Sequence, residues 1–178
     1  MNYLLKMKGT TKSPPGVGFS EMAWSWIGAF VGIAAVGFVH SWIVRETDLI
    51  MIIGSFGASA VLVYGAIKSP LAQPRNLLGG HILSALIGVM SFNLLHDWTW
   101  LAGACAVATA LVVMQATRTL HPPGGATALI AVIGSEDIHR LGYLYAIVPA
   151  GLGALMMLLV ALLVNNIPRR RRYPEFWF

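Results

Sequence analysis

The stretch Thr117-Arg118-Thr119-Leu120-His121-Pro122-Pro123-Gly124-Gly125-Ala126-Thr127-Ala128 lies between two long apolar runs. A residue ahead of a proline is pushed out of the α region, so the backbone is expected to be extended at Leu120 and His121. Proline is tolerated in the first turn of a helix, where a missing N–H costs nothing, so a helix can restart at Pro122. The first amides it offers belong to Gly124, Gly125 and Ala126, which carry little bulk. A helix start of this kind inside a membrane suits a small anion, because its N–H groups and dipole both favour negative charge.

The membrane follows from composition. Of 178 residues, 57% are hydrophobic and 11% are charged, and the mean hydropathy is +0.71. Soluble domains carry about a quarter charged residues. The chain therefore reads as an all-α integral membrane protein with about six transmembrane segments. Residues 1–20 read as a cytoplasmic N-terminal segment, 21–167 as one membrane domain and 168–178 as a basic and aromatic tail. No secretory signal is expected, because the N-terminus lacks an immediate apolar core and a cleavage site. The single cysteine, Cys105, lies in an apolar run and reads as a packing residue, with no disulfide within one chain.

The apolar segments span about 22–44, 49–67, 77–95, 99–117, 122–134 and 141–165. A full span needs about 20 residues. The fifth segment is shorter than that and reads as a short span or a re-entrant half-helix. The second is normal in length but interrupted by Gly54, Ser55 and Gly57. With six crossings and a cytoplasmic N-terminus, Lys6, Lys8, Lys12, Lys68, Arg75, Arg118 and Arg169 to Arg172 fall inside, and only Arg45 and Arg140 fall outside. That bias favours an even number of spans with both termini cytoplasmic, in the cell (inner or plasma) membrane. The run Arg169–Arg172 reads as a topology anchor and not as a nucleic-acid patch. Gly28 and Gly32 have small-x-x-x-small spacing, and Gly151 and Gly153 are similar in the last span; these faces suit helix packing and a homo-oligomer.

A weak internal repeat is present. Gly57-Ala58-Ser59-Ala60-Val61-Leu62 matches Gly125-Ala126-Thr127-Ala128-Leu129-Ile130. Each match opens a broken segment that is the middle one of three. Three spans per unit would invert one half relative to the other, a transporter and channel pattern with its site at mid-membrane. Two inverted three-helix repeats are the leading model, with chance or shared packing composition as the alternative.

Enzyme motifs are scarce: no Walker loop, His-Glu-x-x-His, Cys-x-x-Cys or Gly-x-Ser-x-Gly occurs. The five histidines lack metal-ligand spacing, so no metal, cofactor or catalytic set is expected. His96 and His139 read as surface turn residues, and His40 as reaching the interface. His81 follows Gly79 and Gly80 at the start of an apolar helix near Arg75 and Asn76. An ionisable group at membrane depth is a functional candidate; its bland reading is a neutral imidazole bonded to a carbonyl. His121 reads as an anion ligand, a proton carrier or only a helix cap. Arg75 and Arg118 present planar forks suited to oxyanions, or else anchor at the interface. Ser55, Ser59 and Thr127 offer hydroxyls to an ion, or bond across helices. Gly57, Gly124 and Gly125 sit at backbone breaks. The expected anion site therefore comprises His121, Pro122, Pro123, Gly124, Gly125, Ala126, Thr127, Ser55, Gly57, Ser59, His81, Arg75, Arg118 and Asn76.

Four ordered motifs carry a resemblance: Ser55-Phe56-Gly57-Ala58-Ser59-Ala60, Ser69-Pro70-Leu71-Ala72-Gln73-Pro74-Arg75-Asn76, Gly79-Gly80-His81 and Thr117 to Ala128. Together they resemble the HPP family of integral membrane proteins, over about residues 15–165. The resemblance implies transport. Plastid members are described as nitrite transporters, so it implies that nitrite or a similar small anion is the partner; apart from the resemblance, His81 or His121 could couple a proton, a further partner. Some relatives carry CBS domains after the membrane part; with the chain ending at Phe178, no nucleotide regulation within it is expected. The family often has Pro-Ala-Gly where this chain has Pro123-Gly124-Gly125, which should only ease close approach. Two other readings stand beside transport: a membrane assembly or structural protein, and a membrane enzyme using His81 and His121 with a metal.

Overall fold

The computed structural model describes residues 6–8, 10–42 and 52–178. The expected outer loop Arg45-Glu46-Thr47-Asp48 lies outside the described residues. Among those described, the regular structure is entirely helical. Helix α1 spans Phe19–Trp42, α2 Ser55–Ala60, α3 Pro74–Leu95, α4 Thr99–Ala116, α5 Pro122–Ile133, α6 Glu136–Leu141 and α7 Leu152–Val164. At 1.5 Å per residue, α1 is about 36 Å long, enough for a hydrocarbon core of about 30 Å. Three described helical stretches are long and apolar enough to cross a membrane: Phe19–Trp42, Pro74–Ala116 and Glu136–Val164. The second of these is α3 and α4 together, folded back on each other through the tight turn His96–Trp98.

The two short helices are short for local reasons. Helix α5 has 12 residues, about 18 Å, and begins where the proline pair permits. His121 is extended (φ −139°, ψ 103°) and the helix restarts at Pro122, as the proline argument requires. Helix α2 widens into a π-turn over Val61–Gly65 and stops. The last segment departs from expectation. The run read as continuous over 141–165 is broken at Val148 (φ −129°, ψ 118°), immediately before Pro149. Pro149 has no N–H and pushes the preceding residue into extended geometry. Regular helix resumes only at Leu152.

Helix α3 is the hub. It packs most extensively against α4 and α5 and also touches α7 and residues 142–151. Gly88 on α3 lets α5 approach: a Cβ there would lie 2.5 Å from the Ala128 carbonyl oxygen and 2.7 Å from Ala131 Cβ. Helix α1 lies against α7 and the π-turn. The Tyr64 ring covers Gly28 and Gly32, and its hydroxyl donates to Met157 O at 2.9 Å. Gly153 faces Phe56 and Gly151 faces the Ala146 carbonyl. These glycine faces are thus used within the chain, and the homo-oligomer loses the sequence argument made for it.

The two ends of the bundle differ in charge. Arg171 Nη2 meets Glu21 Oε1 at 2.6 Å, so the start of α1 and the tail after α7 share one end. Tyr173 donates to Ala72 O at 2.7 Å, and Arg75 donates to Thr117 O, so the segments around 72 and 117 lie there too. The opposite end carries Phe92 stacked on His139 with ring centroids 3.8 Å apart. His139 also bonds Val132 O at 3.2 Å; it is a packed residue and not a bare turn histidine. His96 is exposed and pairs with Asp97 at 3.4 Å, while Glu136 and Asp137 flank exposed Arg140 on α6.

Candidate functional site

Two glycines and a helix cap bring His121 to His81. Helix α4 ends in a paired cap: Thr119 N donates to Met114 O at 2.8 Å and Arg118 N to Gln115 O at 3.2 Å. This Schellman geometry needs a left-handed residue at its turn, and Arg118 supplies it with φ +57°. The chain then reverses across α3. A Cβ on Gly80 would lie 2.5 Å from His121 Cβ, and one on Gly79 would lie 2.5 Å from Thr119 Cγ2. Only glycine admits so close a crossing. Asn76 fixes the segment by donating to Leu120 O at 2.8 Å. His81 itself sits two turns inside α3, not at its start, because the helix begins at Pro74.

The result is a continuous polar chain within an apolar bundle. His81 Nε2 lies 2.7 Å from Ser59 Oγ, and His121 Nε2 lies 2.8 Å from that same oxygen. On its other edge His81 Nδ1 lies 2.7 Å from Thr127 Oγ1, which is 2.9 Å from Ser55 Oγ and 3.2 Å from Pro123 O. His121 Nδ1 is bonded to Leu71 O at 2.8 Å. Ser59, His81, His121 and Thr127 have no exposed surface, and Ser55 has 1%. Phe56 meets the His81 ring edge-on, with centroids 5.2 Å apart. Tyr145 donates to Thr127 O at 3.1 Å.

The contacts Ser55–Thr127 and Ser59–His121 show that α2 and α5 run antiparallel. Ser55 and Ser59 are four residues apart and so share a helix face. The six-residue repeat equates Ser59 with Thr127. In space these two hydroxyls hold opposite nitrogens of one imidazole, that of His81.

Other expected site residues lie elsewhere. The Gly124 amide, expected to be bare, donates to His121 O at 2.8 Å, and Gly124 itself is wedged against Gly80 O, Ser84 Oγ and Met114 Sδ. Pro123 is buried, while Pro122 and Ala126 are exposed and Gly125 is half-buried. Pro122, Pro123 and Ala126 border an apolar groove of about 350 Å³ with Ala58, Val61, Leu62 and Ala66. The groove is lined by apolar side chains and offers an anion no polar side chain. Gly57 is exposed, with nothing within 4 Å of an added Cβ. Arg118 is exposed, and Arg75 is tied to the Thr117 carbonyl.

Sequence reasoning missed two features. Ser84 is fully buried beside Gly124, and its hydroxyl has no partner; one serine in an apolar helix gives no signal of that. Arg171, read as part of a surface anchor, is 6% exposed and binds Glu21, Ser25, Asn165 and the Tyr64 carbonyl. Together with Lys68, Ser69 and Arg170 it borders a cavity of about 740 Å³ at the basic end. Among the described residues no group of three or more His, Cys, Asp or Glu side chains is placed to hold a metal ion.

An all-helical bundle with apolar spans and an imidazole–hydroxyl chain sealed inside it defines an integral membrane protein with a built intramembrane polar site. The transmembrane region of the HPP family matches residues 14–174, and the chain belongs to that family. It is 48% identical over 181 residues to one transmembrane protein of Dictyostelium discoideum, covering 100% of this chain and 58% of that one. A second transmembrane protein of the same organism is 45% identical over 183 residues, covering 100% of this chain and 64% of that one. The chain thus spans roughly three-fifths of the length of these relatives. No solved structure matches it.

Proposed function

We propose that this protein transports a small monovalent anion across the membrane, with nitrite the leading substrate, and that it does so without catalysing a covalent reaction. One observation carries the reading: two short antiparallel helices, related by a sequence repeat, hold the buried His81 from both sides through Ser59 and Thr127. Ionisable groups at membrane depth are costly and mark ion or proton pathways. Paired broken helices from repeated halves mark transporter sites, which supports the inverted three-helix organisation.

The anion is drawn to the basic end of the bundle. Lys68, Arg170 and Arg171 border the cavity there, and Arg75 stands at the same end. That end is assigned to the cytoplasm, since Lys and Arg concentrate on the inner face of membrane proteins. The cavity and the His121 end of the polar chain share the segment Ile67–Gln73, in which Leu71 O accepts from His121. A deeper donor is the unpartnered Ser84 hydroxyl, beside the N-terminal end of α5, where the helix dipole favours negative charge. A weak site suffices, because a permeant ion must also leave.

Purified protein in sealed liposomes should take up nitrite with saturation. His121→Ala should abolish uptake and Arg75→Ala should reduce it, at equal incorporation. Absence of saturable uptake of nitrite, nitrate, formate and bicarbonate by folded protein would refute the reading.

A further inference from the structure

We infer that the buried chain Thr127–His81–Ser59–His121 carries one proton with each anion, making transport electroneutral; this inference rests on the anion-transport reading above. The argument begins at Leu71 O, which can only accept, so His121 Nδ1 bears hydrogen. In a neutral His121 the Nε2 atom then accepts, and Ser59 must donate to it. The Ser59 oxygen in turn accepts from His81 Nε2–H. His81 Nδ1 is left as an acceptor and takes the Thr127 hydroxyl proton, which turns to it from Ser55 Oγ and Pro123 O. Every link from Thr127 to Leu71 is then made, and each of its hydrogens points toward Leu71.

The same heavy atoms accommodate one additional proton. Thr127 Oγ1 gains it and turns it toward Ser55 Oγ, 2.9 Å away. The original Thr127 proton passes to His81 Nδ1. The His81 Nε2 proton passes to Ser59, and the Ser59 proton passes to His121 Nε2. Four bonds to hydrogen form and four break, three within the chain and one in the hydronium ion that delivers the proton; no heavy atom of the chain moves, and the net charge resides on His121. Release of the Nδ1 proton on the Leu71 side restores neutrality with every hydrogen reversed, so the hydroxyls and rings must turn back before the next proton enters.

The charge then needs a partner, and the described residues supply none nearby. Among the described residues no aspartate, glutamate or lysine is buried, and the one buried arginine, Arg171, is bound to Glu21. The Tyr145 phenol, which donates to the Thr127 carbonyl, is a weak acid of ordinary pKa about 10 and offers no counter-charge at neutral pH. An uncompensated buried charge is unfavourable, and a monovalent anion removes the penalty. Proton and anion therefore stabilise each other's passage in a ratio of one to one. Ser59 is the only hydroxyl joining the two imidazoles among the described contacts, so it positions the relay.

The full chain in liposomes, loaded with a pH dye and clamped with valinomycin and potassium, tests this. Nitrite uptake and internal acidification are read in the same vesicles, with protein-free vesicles subtracted for leakage of nitrous acid. One proton should enter per nitrite, at a rate insensitive to the clamped potential. Ser59→Ala should cut proton entry at least tenfold and leave any residual nitrite flux potential-dependent, and Ser59→Thr should restore coupling. Nitrite flux that carries charge without protons, or an unchanged ratio in Ser59→Ala, overturns the coupling and leaves transport standing. Absence of any anion flux overturns both. Independently of transport and of variant folding, ¹⁵N NMR of histidine-labelled protein above neutral pH should find His121 as the Nδ1–H tautomer and His81 as the Nε2–H tautomer. Identical tautomers would overturn the relay.

Discussion

The spacing between α3 and α5 sets the reach of His81 to Thr127, and Gly88 sets that spacing. A methyl group added by Gly88→Ala would lie 2.5 Å from Ala128 O, 2.7 Å from Ala131 Cβ and 2.9 Å from Ala128 Cα. None of these atoms belongs to a flexible side chain, so the helices themselves must separate. Overpacking of this kind costs roughly 1–3 kcal/mol. The better helix propensity of alanine returns about 1 kcal/mol. The net expectation is a loss of up to about 2 kcal/mol, with a weakened bond between His81 and Thr127. Gly57→Ala is the control. It lies in α2 with nothing within 4 Å of the new methyl, so only the propensity gain remains and stability should rise by up to about 1 kcal/mol. Both variants can be unfolded in mixed micelles by titrating a denaturing detergent and following helical circular dichroism. Gly88→Ala more stable than the parent, or Gly57→Ala less stable than Gly88→Ala, would refute the packing argument.

Three further outcomes are expected. Arg118→Gly should stabilise the protein by about 1 kcal/mol, because φ +57° is strained for arginine and easy for glycine; if Arg118 also attracts the anion, thermal stability will rise while nitrite uptake falls. Arg171→Ala should cost about 3 kcal/mol, since it strands Asn165 and the Tyr64 carbonyl, whereas Glu21→Gln should cost about 1 kcal/mol because Glu21 is partly solvated and Arg171 keeps its other partners; detergent unfolding reads both. Burial raises the pKa of the Tyr173 phenol above its ordinary 10.0, so the native state holds that proton more tightly than the unfolded chain. This stabilisation is complete below about pH 10 and is lost as pH climbs further. Tyr173→Phe should therefore be less stable than the parent near neutrality, by the lost bond to Ala72 O, and the gap should narrow in alkali.

Sequence alone determined the membrane class, the restart at Pro122, the shortness of the helix that follows it and the residue types of the site; the shortness of α2, which runs through Gly57 and ends in a π-turn, it did not. Proline stereochemistry and segment length act locally, so His121-Pro122-Pro123 reads correctly without neighbours. His81, Ser59, Thr127 and His121 were each legible as candidates because polar groups are conspicuous in apolar runs. Their order was not legible. That one serine oxygen joins two imidazoles, and that Thr127 takes the far edge of the same ring, depends on α2, α3 and α5 meeting at one depth. The meeting is set by close crossings at Gly80 and Gly88, which are pairwise properties of distant segments. Gly124 was misread for the same reason. A glycine at a helix start offers an amide or makes room for a neighbour, and only the position of α3 shows that here it makes room. The break at Pro149 was within reach of the sequence and was overlooked in a long apolar run. The burial of Arg171 was not within reach: a basic cluster after a span looks the same whether it faces headgroups or folds back, and only the proximity of Glu21 and Ser25 turns one of its members inward.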